Sequence, residues 1–328
     1  MNIYITLDYE LFFGTKSGSV DNCIIEPTKA LLKIAEPYNI KFVFFVDVGY
    51  LVKLEEHKEQ FPELQKDYLK VTHQIKHLAE KGHGIELHIH PHWEDSYYDG
   101  NDWIFNVSRY KFADFSLDEI KKIVSLYTST LTRISGKAPK AYRAGGWSAQ
   151  PFNNIGKALK ANDIYIDSTV FPGGYYESAN QCYDFRNVQQ YNTCYHFSED
   201  LTIMQPEGYF KEIPISSYKL SPIFFWKFVY HKLRKQNKHQ AFGDGQAISK
   251  TKKDTIKLLS KPSVSVVSID GYKSSYLEKA YNAYRKNTDD KGNFVIIGHP
   301  KAITPYSLER FSDFLKSTNR EPHFKIFK

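Results

Sequence analysis

The sequence predicts an α/β fold, a closed or nearly closed seven- or eight-stranded (β/α) barrel. Short apolar strands alternate with amphipathic helices at intervals of roughly 25–50 residues, which argues for right-handed parallel units. Several strands are nearly continuous apolar runs, such as KFVFFV at Lys41 to Val46 and FVIIG at Phe294 to Gly298, as expected where helices cover both faces of a sheet. The strands also end, one after another, in ionisable residues: Asp8 and Glu10, Asp47, His88 to His92, Arg143, Asp167, Asp270 and His299. Barrels of this kind collect their chemistry at the C-terminal ends of the strands.

Asn2 to Asp8 alternates and is rich in β-branched residues, so it reads as a strand that delivers Asp8 to Glu10. Pro27 to Tyr38 places Ala, Leu, Leu, Ile and Ala at helical spacing, with Pro where a first turn tolerates it. Glu63 to Lys81 is a long helix stopped by Gly82. Tyr97 to Phe115 is polar, aromatic and aperiodic, and forms most of an expected insertion at about 94–115. Ser116 with Glu119 makes a capping box for a helix that runs to Ser135 and ends at Gly136. Ala141 to Arg143 and Ile164 to Asp167 are strands, with a helix from Pro151 to Asn162 between them. Gly173 to Ser198 is irregular and tyrosine-rich, part of a second expected insertion at 173–210 over the active face. Lys211 to Ile215 and Val264 to Ile269 are further strands. The whole of 1–328 is expected to form a single catalytic domain.

With 328 residues and 41% hydrophobic content the chain can bury a sizeable core. Its cysteines, Cys23, Cys182 and Cys194, are odd in number and lack CxxC spacing, which suits reduced thiols. Met1 runs straight into NIYITLDYE with no export-type leader, and no apolar run approaches the roughly 18 residues of a membrane span. A cytoplasmic protein, at most peripheral on the cytoplasmic membrane face, is expected. The net charge of +7 suits an anionic substrate or an anionic membrane. No recognition-helix, zinc-finger or RNP-like pattern accompanies it, so no nucleic-acid partner is expected.

GIELHIHPHW, from Gly84 to Trp93, concentrates three histidines at alternate positions. On an extended strand His88 and His90 share a face, and His92 joins them if the chain turns at Pro91. Clustered imidazole suits a divalent metal such as zinc. A solvent-facing strand with alternating polar residues is the plain alternative, and the ionisable ends of the other strands favour a catalytic centre over it.

Five segments, TLDYE at Thr6 to Glu10, GHGIELHIHPH at Gly82 to His92, YRAGGW at Tyr142 to Trp147, DSTVFP at Asp167 to Pro172 and GHP at Gly298 to Pro300, follow one another in a recognisable order. Together they resemble the motifs of the polysaccharide deacetylase family, the NodB-homology or carbohydrate esterase 4 group, over Ile3 to Pro300. The first is most similar to a subgroup with an Asp-x-Glu motif. The resemblance implies a distorted seven- or eight-stranded, NodB-like (β/α) barrel and metal-dependent hydrolysis of an N-acetyl group on a sugar, with His88 and His92 as metal ligands. Tyr9 stands where the family's usual ligand aspartate lies, and a phenol of pKa about 10 is a poor substitute. Glu10, on the same side of the strand as Asp8, is then implied as the third ligand and Asp8 as general base, with the reverse assignment open. Arg143 is implied to orient Asp8, and His299 to act as general acid, kept charged by Asp167. Trp147 is implied to line the sugar pocket or the core. Asp270 is a substrate contact or a turn residue before Gly271. His90 has no counterpart and remains an extra ligand, a substrate contact or a hydrogen-bonding support.

The expected substrate is an N-acetylated sugar, nucleotide- or lipid-linked or within an oligosaccharide, in surface-polysaccharide (capsule or O-antigen) biosynthesis. Ser221 to Lys238 interleaves aromatic and basic residues; helical spacing sets Lys227, His231, Arg234, Lys235 and Lys238 against Phe224, Phe225, Phe228 and Leu233. This basic aromatic segment, 221–240, is a peripheral membrane contact, an amphipathic barrel helix, or a disordered basic loop after a short helix. Two further readings remain open: another metal-dependent amide hydrolase on the same barrel, including an amidohydrolase type built on His88 and His90, and a non-catalytic carbohydrate-binding protein. Asp8, Arg143 and His299 argue against the second, since binding alone needs neither base nor acid.

Overall fold

The computed structural model describes residues 1–234, 236–248, 251–318 and 323–328; Lys235, one of the basic residues of 221–240, lies outside them. Eight strands form the main sheet: β1 (Asn2–Tyr9), β2 (Val43–Asp47), β3 (Gly84–Ile89), β4 (Ala141–Ala144), β5 (Ile166–Asp167), β6 (Tyr195–Phe197), β7 (Phe210–Glu212) and β8 (Asn293–Gly298). Their order is β6-β7-β5-β4-β3-β2-β1-β8, and the sheet curls into a half-barrel. Neighbours are parallel except β6 and β7, which run antiparallel. β2, β3 and β8 are buried at every position, which accounts for the apolar runs of β2 and β8, while β3 buries Glu86 and His88 as well.

Register, more than any single strand, positions the site. Asp8 pairs with Phe45, Asp47 with His88, His88 with Arg143, Tyr142 with Asp167, and Asp167 with Glu212. Parallel strands in this register bring their C-terminal residues to one level.

The wall differs from the expected barrel in two places. Val264 to Ile269 does not form one strand. Ser263–Val266, with its alternating exposed and covered residues, pairs with Ser217–Leu220 as a separate antiparallel ribbon. The chain then runs beside β8 as irregular backbone, with Ile297 N donating to Val267 O (3.0 Å) and Ile269 N to Ile297 O (3.0 Å). Irregular chain therefore completes the wall next to β8. The tyrosine-rich insertion also holds regular structure. Tyr175–Glu177 pairs with Cys182–Asp184, where Tyr176 and Tyr183 lie opposite each other, and β6 follows as an edge strand of the main sheet.

Nine helices are present among the described residues: α1 (Glu26–Ala35), α2 (Val48–His57), α3 (Pro62–Glu80), α4 (Leu117–Ser135), α5 (Asn153–Lys160), α6 (Pro222–Leu233), α7 (Lys252–Ser260), α8 (Leu277–Asn287) and α9 (Pro305–Thr318). α2 follows β2 without a linker, so one apolar stretch spans both elements and hides the boundary from a pattern reading. α3 starts on a Pro at its first position and buries Leu64, Val71, Ile75 and Leu78 along one stripe. α4 begins at the expected box. Ser116 Oγ accepts from Glu119 N (3.4 Å), and the Glu119 carboxylate accepts from Ser116 N (2.8 Å). It ends at Gly136, whose φ of 75° is readily adopted only without a side chain.

Ser116→Ala should cost about 1 kcal/mol in denaturant unfolding, the usual effect of losing an N-cap. A loss well above 3 kcal/mol would mean that the box also anchors the 94–115 insertion.

Candidate metal and catalytic site

Because β1 is extended, Asp8 and Glu10 turn to one side of it and Tyr9 to the other. Tyr9 is buried with its hydroxyl donating to Gln74 of α3 (2.8 Å), away from the strand ends. Glu10 meets the histidine strand instead: its Oε2 lies 3.2 Å from His88 Nε2 and 2.7 Å from His90 Nε2, and the two imidazole nitrogens are 3.1 Å apart. All three side chains are almost fully buried.

The tautomer of His88 follows from its other partner. His88 Nδ1 lies 2.9 Å from the Arg143 carbonyl, which can only accept, so the proton sits on Nδ1 and Nε2 of the neutral ring presents a lone pair. A carboxylate oxygen and imidazole lone pairs this close need a proton or a cation between them. Without a cation, burial opposes charge on His88, but the Asp8 and Glu10 carboxylates outweigh it and raise its pKa to about 9. Burial pushes His90 down to about 4 despite the help of Glu10. One carboxylate and two imidazoles within reach of a common point suit a divalent ion with positions left for water or substrate.

His92 lies beside this cluster. Its ring stacks on Tyr110 (centroids 5.3 Å apart) and sits 5.5 Å from the His90 ring; neither of its nitrogens has a hydrogen-bond partner among the described residues. The structure thus converges Glu10, His88 and His90, and leaves His92 as an adjacent buried ring with both nitrogens free.

Glu10 is held from the far side by Lys301. Lys301 Nζ donates to Glu10 Oε1 (2.9 Å) and to the Leu11 carbonyl. Burial alone would raise the Glu10 pKa, but Lys301, His90 and His88 hold it well below the usual carboxylate range. Sequence reasoning missed Lys301, which follows His299 by two positions in the turn after β8. A lysine there has no periodicity to distinguish it from a surface residue; its neighbours in the GHP segment were the nearest signal.

Arg143 is completely buried. Its Nη1 donates to Asp8 Oδ1 (2.6 Å), its Nε to Ser168 O (2.7 Å) and its Nη2 to Ser168 Oγ (3.1 Å), and its plane lies over Phe45 at 4.0 Å. The expected Arg143–Asp8 pair is therefore present. Asp8 Oδ2 points toward His299 Nε2 at 3.7 Å and His88 Nε2 at 3.9 Å.

The carboxylate that holds His299 is Asp270, where the sequence pointed to Asp167. Asp270 Oδ2 is 2.7 Å from His299 Nδ1, and Asp270 Oδ1 accepts from the His299 backbone N–H (2.8 Å). Burial opposes charge on His299, and Asp270 overcomes it, so the imidazole pKa is raised. Asp167 faces its register partner Glu212 and the Thr169 hydroxyl (3.1 Å). Burial raises both carboxyls, and the like charge of its neighbour raises Glu212 further. Asp167 is thus paired with Glu212 and Thr169, and Asp270 takes the place beside His299. The place of Asp167 in DSTVFP did not reveal this, because the deciding partner is Glu212, 45 residues further on.

Asp47 also reaches the cluster's underside, where Trp93 Nε1 donates to its Oδ2 (2.7 Å) and burial lifts its pKa to about 7. Trp147, half-buried, packs on Phe171 and Tyr183 at 5.3 and 5.7 Å. Its φ of 59° is strained for a bulky residue and fixes the ring at the end of β4. Beside His299 and Asp270 opens a cleft of about 710 Å³, walled in part by Phe12, Phe228, His231, His239 and Tyr272.

The fold has counterparts among solved structures. A Mycobacterium smegmatis protein designated a polysaccharide deacetylase aligns with 98% of this chain and 84% of its own at 16% identity and a TM-score of 0.51. PuuE allantoinase aligns over 98% and 86% at 11% identity and a TM-score of 0.50. The polysaccharide deacetylase Bc1974 from Bacillus cereus aligns over 100% and 92% at 13% identity and a TM-score of 0.41. At such identities the first two likenesses show the fold alone. No protein-family model matches the chain, and no curated protein matches it in sequence.

Gly145, at the turn after β4, backs directly on His90; a Cβ there would come within 2.5 Å of the imidazole ring. Gly145→Ala should displace the ring and weaken the binding of an added divalent ion by about tenfold to a hundredfold, as changes in ligand support typically do. Competition with a chromophoric chelator would measure this, and unchanged affinity would remove His90 from the ligand set.

Proposed function

We propose that the protein is a metal-dependent hydrolase that removes an N-acetyl group from a sugar. The observation that supports this best is the meeting, at one set of strand ends, of the Glu10–His88–His90 cluster with a carboxylate and an imidazole that face each other, Asp8 Oδ2 and His299 Nε2 at 3.7 Å. A divalent ion, zinc in this proposal, would polarise the acetyl carbonyl and acidify the attacking water. Glu10, His88 and His90 would hold it. His92 is the alternative imidazole, favoured by the family resemblance and by its two unpartnered buried nitrogens.

Asp8 takes the proton of the attacking water through Oδ2, while Arg143 fixes Oδ1 and offsets the buried charge. His299 gives its Nε2 proton to the departing amine as the C–N bond breaks, and Asp270 holds the ring by Nδ1. Acetate and a free amino sugar result. Lys301 holds Glu10 from the side opposite the imidazoles. Trp147 and the aromatic cleft beside Asp270 would carry the sugar and what it is attached to, a nucleotide, a lipid carrier or an oligosaccharide. Surface-polysaccharide assembly (capsule or O-antigen) is the setting proposed from the same resemblance.

Acetate release from UDP-N-acetyl sugars and lipid-linked oligosaccharides, measured beside bound metal, tests this. Asp8→Asn should retain metal and lose at least about a thousandfold in turnover, in line with removal of a catalytic base; His90→Ala should lose metal, and His92→Ala should keep it. Loss of metal in His92→Ala alone would restore the ligand set implied by the resemblance. Metal without acetate from any donor would shift the reading to another amide or to binding.

A second outcome concerns pH. Asp270 raises the His299 pKa, so the protonated acid persists to higher pH and is lost as pH rises through that value. Asp270→Asn should therefore move the alkaline limb of kcat/KM to lower pH, by about one unit. An unmoved limb would mean that His299 is not the group that titrates there.

A further inference from the structure

α6 presents two different faces. Phe224, buried, packs on Tyr272 and Tyr276, and Phe228 and His231 wall the cleft beside Asp270. On the outer face Ile223, Trp226, Tyr230 and Leu233, spaced by three, four and three residues, form one stripe with exposures of 65%, 57%, 49% and 76%. This divides the apolar face expected from the sequence: Phe224 turns inward, while Leu233 turns out with the stripe. α7 lies against α6, with Trp226 Nε1 donating to the Leu259 carbonyl (3.1 Å), and adds Ile256, 65% exposed. Large apolar side chains gathered this way on an outer helix face are seldom left to water.

Charge shows what covers them. Between Ser221 and Lys261 the sequence has ten Lys and Arg against two Asp, a local +8 that exceeds the +7 of the entire chain. Lys227, Arg234, Lys253 and Lys257 are exposed beside the stripe. A second copy of this chain would set two such surfaces against each other. An apolar stripe with Trp and Tyr, edged by cations and lacking acids on α6, matches the boundary between anionic headgroups and acyl chains. No helix among the described residues is long and apolar enough to cross a membrane, so contact through this hairpin would lie in the surface plane.

We propose that the α6–α7 hairpin docks the protein on an anionic membrane surface, its stripe of Ile223, Trp226, Tyr230, Leu233 and Ile256 entering the headgroup layer. Because the inner side of α6 walls the cleft next to His299 and Asp270, docking brings that cleft to the bilayer. The corollary, that the acetylated sugar arrives on a lipid anchor, rests on the deacetylase reading above; the docking does not.

The test is sedimentation of the full chain with vesicles of phosphatidylcholine alone or mixed with phosphatidylglycerol, at low and high salt. The wild type should bind the mixed vesicles at least ~tenfold more strongly than the neutral ones, with the difference reduced by salt. Trp226→Asp combined with Leu233→Asp, and separately Lys253→Glu combined with Lys257→Glu, should each weaken binding by ~tenfold or more. Leu69→Asp, at an exposed position on α3, should leave binding unchanged. Turnover of a water-soluble N-acetyl sugar should be unaltered in all three variants, which also shows that they fold. Absence of vesicle binding overturns the proposal, as does equal binding by both stripe and charge variants. Self-association of the wild type that the stripe variant abolishes also overturns it. Vesicle binding without acetate release from any sugar leaves the docking in place and removes the deacetylase reading; acetate release without vesicle binding does the reverse.

Discussion

Around the guanidinium of Arg143 five strand ends are tied together. It is fully buried, so its charge must be answered inside the protein. Asp8 at the end of β1 takes one nitrogen, and Ser168, just past β5, takes two. Phe45 of β2 lies under its face, and the backbone carbonyl of Arg143 itself, on β4, sets the tautomer of His88 on β3. A buried cation that loses a partner is costly, and this makes the arrangement all-or-none. The residue that orients the proposed base also fixes which nitrogen of His88 faces Glu10.

The same constraint governs the carboxylates. Glu10 is flanked by Lys301 on one oxygen and by two imidazoles on the other, so a permanent cation and an exchangeable one can share a single group. Asp270 is matched to His299, and Asp167 to Glu212. Asp8 Oδ2 and His299 Nε2 face each other across 3.7 Å, a gap too long for a hydrogen bond. Proton transfer through a substrate held between them is what that gap suits.

α6 joins this interior to the outside. One side of it contributes Phe228 and His231 to the cleft, and the other carries an apolar stripe within the most basic part of the chain. α6 thus has one side on the cleft beside Asp270 and the other on the outer surface of the protein.

Much of this was written in the sequence. Unbroken apolar runs identified the parallel strands, the Ser116–Glu119 box marked the start of α4, and the side-to-side alternation of β1 put Asp8 and Glu10 on the same face, opposite Tyr9. Those are local rules, satisfied by neighbours within a few residues. What the tertiary structure decided depends on groups far apart in the chain. His90 stands nearer Glu10 than His92 does because the backbone turns at Pro91 and Gly145 leaves room for the ring. Glu212 takes Asp167 because of strand register, and Asp270 takes His299 because irregular chain is hydrogen-bonded alongside β8. Lys301 becomes the counter-ion of Glu10 because the turn after β8 folds back over β1. Glu10 and Lys301 are 291 positions apart, and no periodicity reaches that far. Only the packing of parallel strands side by side determines which charges must neutralise one another.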